Sequence, residues 1–163
     1  METVTTQEGR ILAIDPGTHC GWATREANGD FYRSGTWDLS PGRFSGAGMR
    51  FLRFEKLLDE LYVACGSLSA VYFEDVRGHK GTYAAQIYGG FVAVLTAWCE
   101  RKNIPYQGIP VADVKRAATG KGGGKGADKQ AMVNAAMLKW PDQQIKDDNQ
   151  ADALWILKAA ELL

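Results

Sequence analysis

Two short apolar segments of the sequence each end in a carboxylate. Arg10–Asp15 reads Arg-Ile-Leu-Ala-Ile-Asp and is followed at once by a proline–glycine pair, and Ala70–Glu74 reads Ala-Val-Tyr-Phe-Glu before a polar stretch. Apolar runs of this length between turn residues are typical of buried strands, so the sequence predicts Asp15 and Glu74 at strand ends. If the second strand lies beside the first, as successive strands usually do, the two carboxylates can share one cation.

A second pair of acids lies at the predicted start of the last helix. Asp148 and Asp152 are four residues apart and therefore share one helical face. Asp152 lies on the same face as Ile156 and Ala159, where an unpaired carboxylate would be costly. Clustered carboxylates repel one another unless a divalent cation lies between them, and oxygen-only ligands favour Mg²⁺ or Mn²⁺ over zinc. Asp148 has a second interpretation, as the N-cap of this helix.

The elements that position these acids follow from hydrophobic spacing and turn residues. Three antiparallel strands open the chain, and Asn28-Gly29 is a strong hairpin signal between the second and the third. Helices and further strands then alternate, which indicates an α/β fold. The predicted strands cover residues 10–15, 21–24, 31–37, 70–74 and 104–109, and the predicted helices cover residues 51–66, 82–102, 111–118, 128–140 and 148–163.

Length and composition describe one folded domain over residues 1–163, because domains of ~100–200 residues are the norm. With 45% hydrophobic and 23% charged residues, the chain is neither disordered nor fibrous. The three cysteines are far apart and odd in number, so we expect no disulfide framework, no zinc site and a cytoplasmic location. Residues 1–10 hold no apolar signal segment, and the uncharged run between Lys80 and Glu100 contains glycine and glutamine, so no membrane association is expected.

The chain has 19 basic and 19 acidic residues, but they are unevenly distributed. Arg77–Lys129 contains nine basic and three acidic residues, whereas Asp142–Leu163 contains two basic and five acidic ones. A basic stretch beside an acidic cluster suits a protein that binds a polyanion and holds cations near it. The glycine-rich run Thr119–Gly126 carries Lys121 and Lys125 and predicts a mobile loop; its residue order does not match an NTPase phosphate-binding loop.

Three motifs, taken in order, carry a resemblance to a known family. They are Ile11–Thr18 followed by Gly21-Trp22-Ala23, then Val71–Val76, then Asp148–Leu154. With this order and spacing, the chain from about residue 10 to its end resembles the RuvC family of Holliday-junction resolvases, especially the bacteriophage members. The resemblance implies a ribonuclease H-like mixed sheet with helices on both faces, a homodimer that acts on four-way and other branched DNA, and two Mg²⁺ or Mn²⁺ ions in each active site.

The resemblance also assigns the site residues. Asp15 corresponds to the ligand shared by both metal ions, Glu74 to the ligand from the second strand, and Asp152 to the ligand from the last helix. The family usually has an acid or a histidine three residues before the final aspartate, and this sequence has Asn149 there. Either the amide oxygen of Asn149 or the neighbouring carboxylate of Asp148 is therefore the fourth ligand.

The chemistry that the resemblance implies is phosphodiester hydrolysis that leaves 5′-phosphate and 3′-hydroxyl ends. One metal ion activates water and the other stabilises the leaving oxygen, at a metal separation of ~3.5–4 Å. Lys115 and Lys129 resemble family lysines near the scissile phosphate, where a fixed positive charge stabilises the transition state. The remaining predicted DNA contacts are with the backbone, and they come from Arg77, Lys80, Lys121 and Lys125.

Other functions stay open at the level of sequence. A nuclease acting on RNA or on an RNA–DNA hybrid uses the same fold, and a non-catalytic junction-binding protein would tolerate Asn149. Half of a sugar kinase or actin-like ATPase also begins with a strand and Asp-x-Gly, but the chain is too short for the second lobe. His79 either contacts DNA or is merely solvated, and Trp98 and Trp155 are predicted in the core. No sequence feature points to a helicase partner.

Overall fold

The computed structural model describes residues 9–26, 29 and 31–163. It contains a five-stranded sheet, five α-helices and one short 3₁₀ helix at Pro141–Gln143. In chain order the main elements are β1 Ile11–Asp15, β2 His19–Arg25, β3 Tyr32–Asp38, α1 Met49–Cys65, β4 Ala70–Asp75, α2 Thr82–Lys102, β5 Tyr106–Pro110, α3 Val111–Thr119, α4 Lys129–Lys139 and α5 Asp148–Glu161.

The strands lie in the order β3-β2-β1-β4-β5. β1, β2 and β3 pair antiparallel, and β4 and β5 are parallel to β1, so the prediction of three antiparallel strands followed by parallel ones is confirmed. The predicted pairing of the Ala70–Glu74 strand beside the first strand is also confirmed. Of the predicted hairpin signal, Gly29 has the expected positive φ of 82°, whereas Asn28 lies outside the described residues.

The alternation of side chains along β1 explains the layers. Leu12 and Ile14 pack with buried residues of α1 and α2 on one face of the sheet. Ile11 and Ala13 pack with α3, α4 and α5 on the other face. Successive side chains of a strand point to opposite faces, so one strand supplies both cores. Trp98 and Trp155 are buried in these two cores, as predicted.

Several element boundaries differ from the predicted ones. The strand predicted from Ile104 begins at Tyr106, because Asn103 ends α2 in the left-handed conformation and the N–H of Ile104 donates to the carbonyl of Cys99. β2 begins at His19, two residues before the predicted start, because it pairs with β3 as far as Asp38. In the described ranges, no helix has the length and apolar character needed to cross a membrane.

Candidate metal centre

Three carboxylates from three different elements meet on one side of the sheet. Asp15 ends β1, Glu74 lies near the end of β4, and Asp152 lies in the second turn of α5. One oxygen from each side chain lies within 4.8 Å of the others. Asp15 continues the Ile11–Ala13 side of β1, so it faces α5. These three groups form a cluster, here called the acidic triad, that could hold a metal ion.

The contact that brings α5 to the triad depends on a glycine in β2. Gly21 pairs directly with Asp15 across the β1–β2 ladder. A Cβ atom at Gly21 would overlap the backbone carbonyl of Asn149, in the first turn of α5. A glycine inside a strand allows this close approach of another backbone segment. In the sequence, Gly21 is notable only as part of the Gly21-Trp22-Ala23 motif, and its contact with α5 was not predicted.

Polar side chains from β3 fix the N-terminus of α5. Asp147 is the N-cap, and its side chain accepts the N–H of Gln150 and the hydroxyl of Thr36. Gln150 is buried and donates to the hydroxyl of Ser34. The interpretation of Asp148 as the N-cap is therefore wrong by one residue. Asp147 and Asp148 are equally suited to an N-cap by residue type, and the hydroxyl of Thr36 in β3 donates to Asp147, the first of the two.

Asp148 lies beside the triad without being part of it. Its Oδ2 accepts a hydrogen bond from Nζ of Lys129 at 3.0 Å. This pairing lowers the pKa of Asp148 below its usual range. Asp148 is nevertheless near enough to raise the pKa values of Asp15 and Asp152 by charge repulsion. Whether Asp148 or Asn149 is a fourth ligand stays a prediction.

Burial and mutual repulsion disfavour the ionised forms of the triad. Burial, the repulsion of Glu74 and that of Asp148 raise the pKa of Asp152 to about 7. Burial also raises the pKa of Asp15, with further contributions from Asp152 and Glu74, and burial raises the pKa of Glu74. A bound divalent cation would reverse this balance by favouring the ionised carboxylates. The all-oxygen donor set fits Mg²⁺ or Mn²⁺.

The triad opens onto a cleft of about 970 Å³. Glu74 and Asp152 line it together with Lys115 of α3 and Lys129 of α4. Both lysines lower the pKa values of Glu74 and Asp152, so their charges act on the carboxylates. The cleft therefore places fixed positive charge beside clustered carboxylates, an arrangement suited to a substrate phosphate and a metal ion together.

The other predicted DNA-binding residues lie farther from the triad. Arg77 lines the cleft, is largely exposed and pairs with Asp75 at 3.3 Å. Lys80, Lys121 and Lys125 are exposed and are not part of the cleft lining. Nζ of Lys121 donates to the carbonyl of Lys125 at 3.3 Å, which closes the glycine-rich loop on itself. Their role in DNA binding stays a prediction.

A tyrosine that was not predicted as a site residue forms hydrogen bonds with the backbone around Glu74. The hydroxyl of Tyr88 in α2 donates to the carbonyl of Glu74 at 2.7 Å and accepts the N–H of Val76 at 2.9 Å. The hydroxyl thus bonds to the chain on both sides of Asp75, where β4 ends. The only sequence signal was a tyrosine on a helix otherwise rich in small and apolar residues.

Comparisons with known proteins agree with this architecture. No protein-family model matches the chain, and no curated protein matches it in sequence. Among solved structures, Thermus thermophilus RuvC in complex with a Holliday junction substrate matches with a TM-score of 0.72 at 17% identity, over 93% of this chain and 91% of that one. A further Thermus thermophilus RuvC structure matches with a TM-score of 0.72 at 20% identity, over 92% of each chain.

The yeast mitochondrial Holliday junction resolvase Ydc2 matches with a TM-score of 0.63 at 15% identity, over 93% of this chain and 77% of that one. At these identities the similarity establishes the fold, which is ribonuclease H-like, as in RuvC, and confirms the predicted fold class. The predicted relationship to bacteriophage members stays a prediction.

Proposed function

We propose that this protein is a metal-dependent endodeoxyribonuclease that resolves four-way and other branched DNA junctions by phosphodiester hydrolysis. The acidic triad carries the proposal: three carboxylate oxygens lie within 4.8 Å of one another, and Glu74 and Asp152 line a cleft that also presents two lysines. The similarity of the fold to RuvC bound to a junction makes DNA the substrate to test first. The expected products carry 5′-phosphate and 3′-hydroxyl ends.

Asp15, Glu74 and Asp152 would hold Mg²⁺ or Mn²⁺, two ions per site, with Asp148 or Asn149 as the fourth ligand. When bound, the metal ions would lower the pKa of water and neutralise charge on the leaving oxygen. The raised pKa values of the triad support this assignment, because such a site binds its cation at the expense of protons.

The lysines in the cleft contribute charge without needing to change protonation state. Lys115 lies on the cleft wall formed by α3, where its ammonium group would meet a non-bridging oxygen of the scissile phosphate. Lys129 is paired with Asp148 at 3.0 Å, which favours a position of its ammonium group beside the triad carboxylates. Glu74 is positioned by the Tyr88 hydroxyl through its own backbone carbonyl.

We also propose that the active form is a homodimer, because two symmetric cuts in a four-way junction need two active sites related by a two-fold axis. The outer face of α2 is the expected contact, since it has no charge between Lys80 and Glu100 and exposes Ala85, Gly89, Ala93 and Ala97 at helical spacing. Light scattering at micromolar concentration should give twice the mass of the chain; a monomer both with and without junction DNA contradicts the dimer.

The test of the function is a nicking assay on a synthetic four-way junction, with linear duplex and an RNA–DNA hybrid as control substrates and with Mg²⁺, Mn²⁺ and Ca²⁺ compared. We expect paired nicks near the branch point with Mg²⁺ or Mn²⁺, and binding without cleavage with Ca²⁺. Asp15→Asn should reduce cleavage roughly 10³-fold while junction affinity stays equal or increases, because it removes a metal ligand and one repulsive charge.

The control variant for Asp15→Asn is Asp142→Asn, which removes an exposed acid outside the described metal cluster and should cleave like wild type. Faster cleavage of the hybrid than of the junction would reassign the substrate. Junction binding without metal-dependent cleavage would make the chain a junction-binding protein.

A further inference from the structure

Arg50 is a buried arginine without an acidic partner. It lies in the first turn of α1 and is only 4% exposed. Its Nε is enclosed without a hydrogen-bond partner, and its Nη2 reaches only the hydroxyl of Tyr83, at 3.5 Å. Within the described part of the chain, no carboxylate lies within salt-bridge distance of the guanidinium. A buried charge in this position is stabilised only when an anion pairs with it.

The backbone around Arg50 adds further positive potential. Tyr83 belongs to the first turn of α2, so its hydrogen bond with the Arg50 guanidinium links the N-terminus of α1 to that of α2. Neither helix has a side-chain cap or an acidic residue in its first turn, and glycine is the N-cap residue of both. The N-terminus of a helix carries a partial positive charge that favours an anion. Two such termini and an unpaired guanidinium therefore point to the same class of ligand.

Tyr83, the hydrogen-bond partner of Arg50, also lines a cleft of about 350 Å³, and so does His79, which has a second unpartnered nitrogen. Tyr83, His79 and Tyr88 line the cleft on one side, and Pro16–Thr18 line the other. The ring of His79 lies against that of Tyr88, with centroids 4.7 Å apart, and its Nε2 is enclosed without a partner. Because Pro16–Thr18 directly follow Asp15, the cleft lies at the same edge of the sheet as the acidic triad.

Two more arginines lie near Arg50 in the chain, Arg53 one helical turn later in α1 and Arg43 in the segment before α1. Arg53 donates from Nη2 to the carbonyl of Ser40 at 2.7 Å, and its Nε also has no partner. Arg43 lies in the exposed segment before α1, over the ring of Phe44. Within the described residues neither arginine forms a salt bridge, in contrast to Arg101, which pairs with Glu55. In the chain, these unpaired arginines precede the basic stretch that begins at Arg77.

We propose that Arg50 and Tyr83, with His79 and with Arg53 of the next turn of α1, form a binding site for a backbone phosphate of DNA, here called the arginine surface. It would bind a nucleotide of the substrate beyond the Pro16–Thr18 loop, across that loop from the acidic triad. Tyr83 is 68% exposed and its hydrogen bond to Arg50 is long, so a phosphate oxygen can replace the phenol oxygen as acceptor. A guanidinium group binds phosphate more strongly than it binds a phenol.

The identification of the anion as DNA rests on the proposed function, whereas the anion site itself does not. Both can be tested separately. Binding of a four-way junction should be measured in Ca²⁺ over a range of salt concentrations for wild type, Arg50→Gln and the control Arg101→Gln. We expect Arg50→Gln to reduce the slope of log affinity against log salt by about 0.9, the contribution of one phosphate contact, and Arg101→Gln to leave it unchanged. Equal slopes for wild type and a folded Arg50→Gln overturn the proposal.

Inorganic phosphate tests the anion site without DNA and without a variant of Arg50. The chain has two histidines, so a His19→Gln variant assigns their ring signals in NMR spectra. At constant pH and ionic strength, phosphate in place of chloride should shift the His79 ring signal in a saturable way and leave His19 unchanged. If His79 does not respond, the anion site is refuted, whether or not Arg50→Gln folds. If His79 responds and wild type neither binds nor cleaves junctions, the site stands and the proposed function fails.

Discussion

The sequence predicts functional residues both in the acidic triad and in the glycine-rich loop at Thr119–Gly126. The two regions differ in burial and in the elements that support them. The triad stands on two strands and one helix, its carboxylates are partly buried, and burial and repulsion raise their pKa values. The loop exposes Lys121 and Lys125, and its backbone turns through Gly120, Gly124 and Gly126 at positive φ.

This difference in burial and support matches the ligand proposed for each region. A metal ion needs oxygen ligands held at fixed distances, so the elements that hold them must be rigid and tightly packed. A DNA backbone offers a row of equivalent charges, so in the proposed function exposed lysines on a glycine-rich loop would bind it without a fixed geometry. Small structural changes should therefore have large effects at the triad and small effects at the loop.

The largest expected effect comes from the pH dependence of stability. In an unfolded chain the carboxyl of Asp152 has a pKa near 3.8, and in the folded protein it is about 7. The folded protein therefore retains a proton that the unfolded chain loses between these values. The stability that Asp152 contributes is therefore fully present below about pH 4 and is lost as the pH rises toward 7, a change on the order of 4 kcal/mol.

Thermal unfolding in EDTA at pH 5 and pH 8 measures this loss. Asp152→Asn should flatten the pH dependence and raise the Tm at pH 8, and Mg²⁺ should have the same effect on wild type by neutralising the ionised triad. Asp142→Asn, an exposed acid, should keep the wild-type profile. A wild-type Tm that does not change between pH 5 and pH 8 in EDTA contradicts the prediction.

The second effect concerns the glycine that lets α5 approach the triad. Gly21→Ala should displace the first turn of α5, because the added Cβ overlaps the carbonyl of Asn149. We expect junction cleavage to fall about 10²-fold, since a shift on the order of 1 Å at a catalytic group has this consequence. Junction affinity in Ca²⁺ should stay within about threefold of wild type, because the lysines of the cleft are untouched.

Gly46→Ala is the matched control for Gly21→Ala, because a Cβ at Gly46 meets no atom within 4 Å. It should cleave as wild type does. If Gly21→Ala retains full activity, the close contact between β2 and α5 does not position the triad.

The third effect separates charge in the cleft from charge on the surface. Lys115→Ala should lower the turnover number at least about tenfold and change junction affinity less, because in the proposed mechanism its ammonium group acts mainly in the transition state. Arg116→Ala is the control, since Arg116 is the next residue of α3 and its charge is paired with Asp113. Single-turnover cleavage and binding in Ca²⁺ measure the two quantities, and a loss confined to affinity would assign Lys115 to backbone binding.

The sequence predicted the fold because its strands are short, apolar and bounded by turn residues. The members of the triad were predicted as well, Asp15 and Glu74 from carboxylates at the ends of apolar strands and Asp152 from a carboxylate on the apolar face of the last helix. The contacts that set the site's geometry were not predictable from local patterns. Each of these contacts joins elements that are far apart in the chain: Gly21 lies against Asn149, Tyr88 bonds to Glu74, and the buried Arg50 bonds to Tyr83.

The smallest effect is expected at the glycine-rich loop. Lys121→Ala with Lys125→Ala should lower the salt dependence of junction binding, with a slope smaller by at most about 1.8, because each lost phosphate contact contributes about 0.9. The turnover number should stay within about twofold of wild type, since both lysines lie outside the cleft lining and neither is held in a fixed position by an acid. Lys139→Ala with Lys158→Ala removes the same charge far from the cleft and should leave the slope unchanged. Titrations of both double variants at several salt concentrations decide the question.

If the loop variant keeps the wild-type slope, the loop does not bind DNA. If its turnover falls as strongly as that of Lys115→Ala, the loop belongs to the catalytic site, and the contrast between a packed centre and an exposed loop is lost.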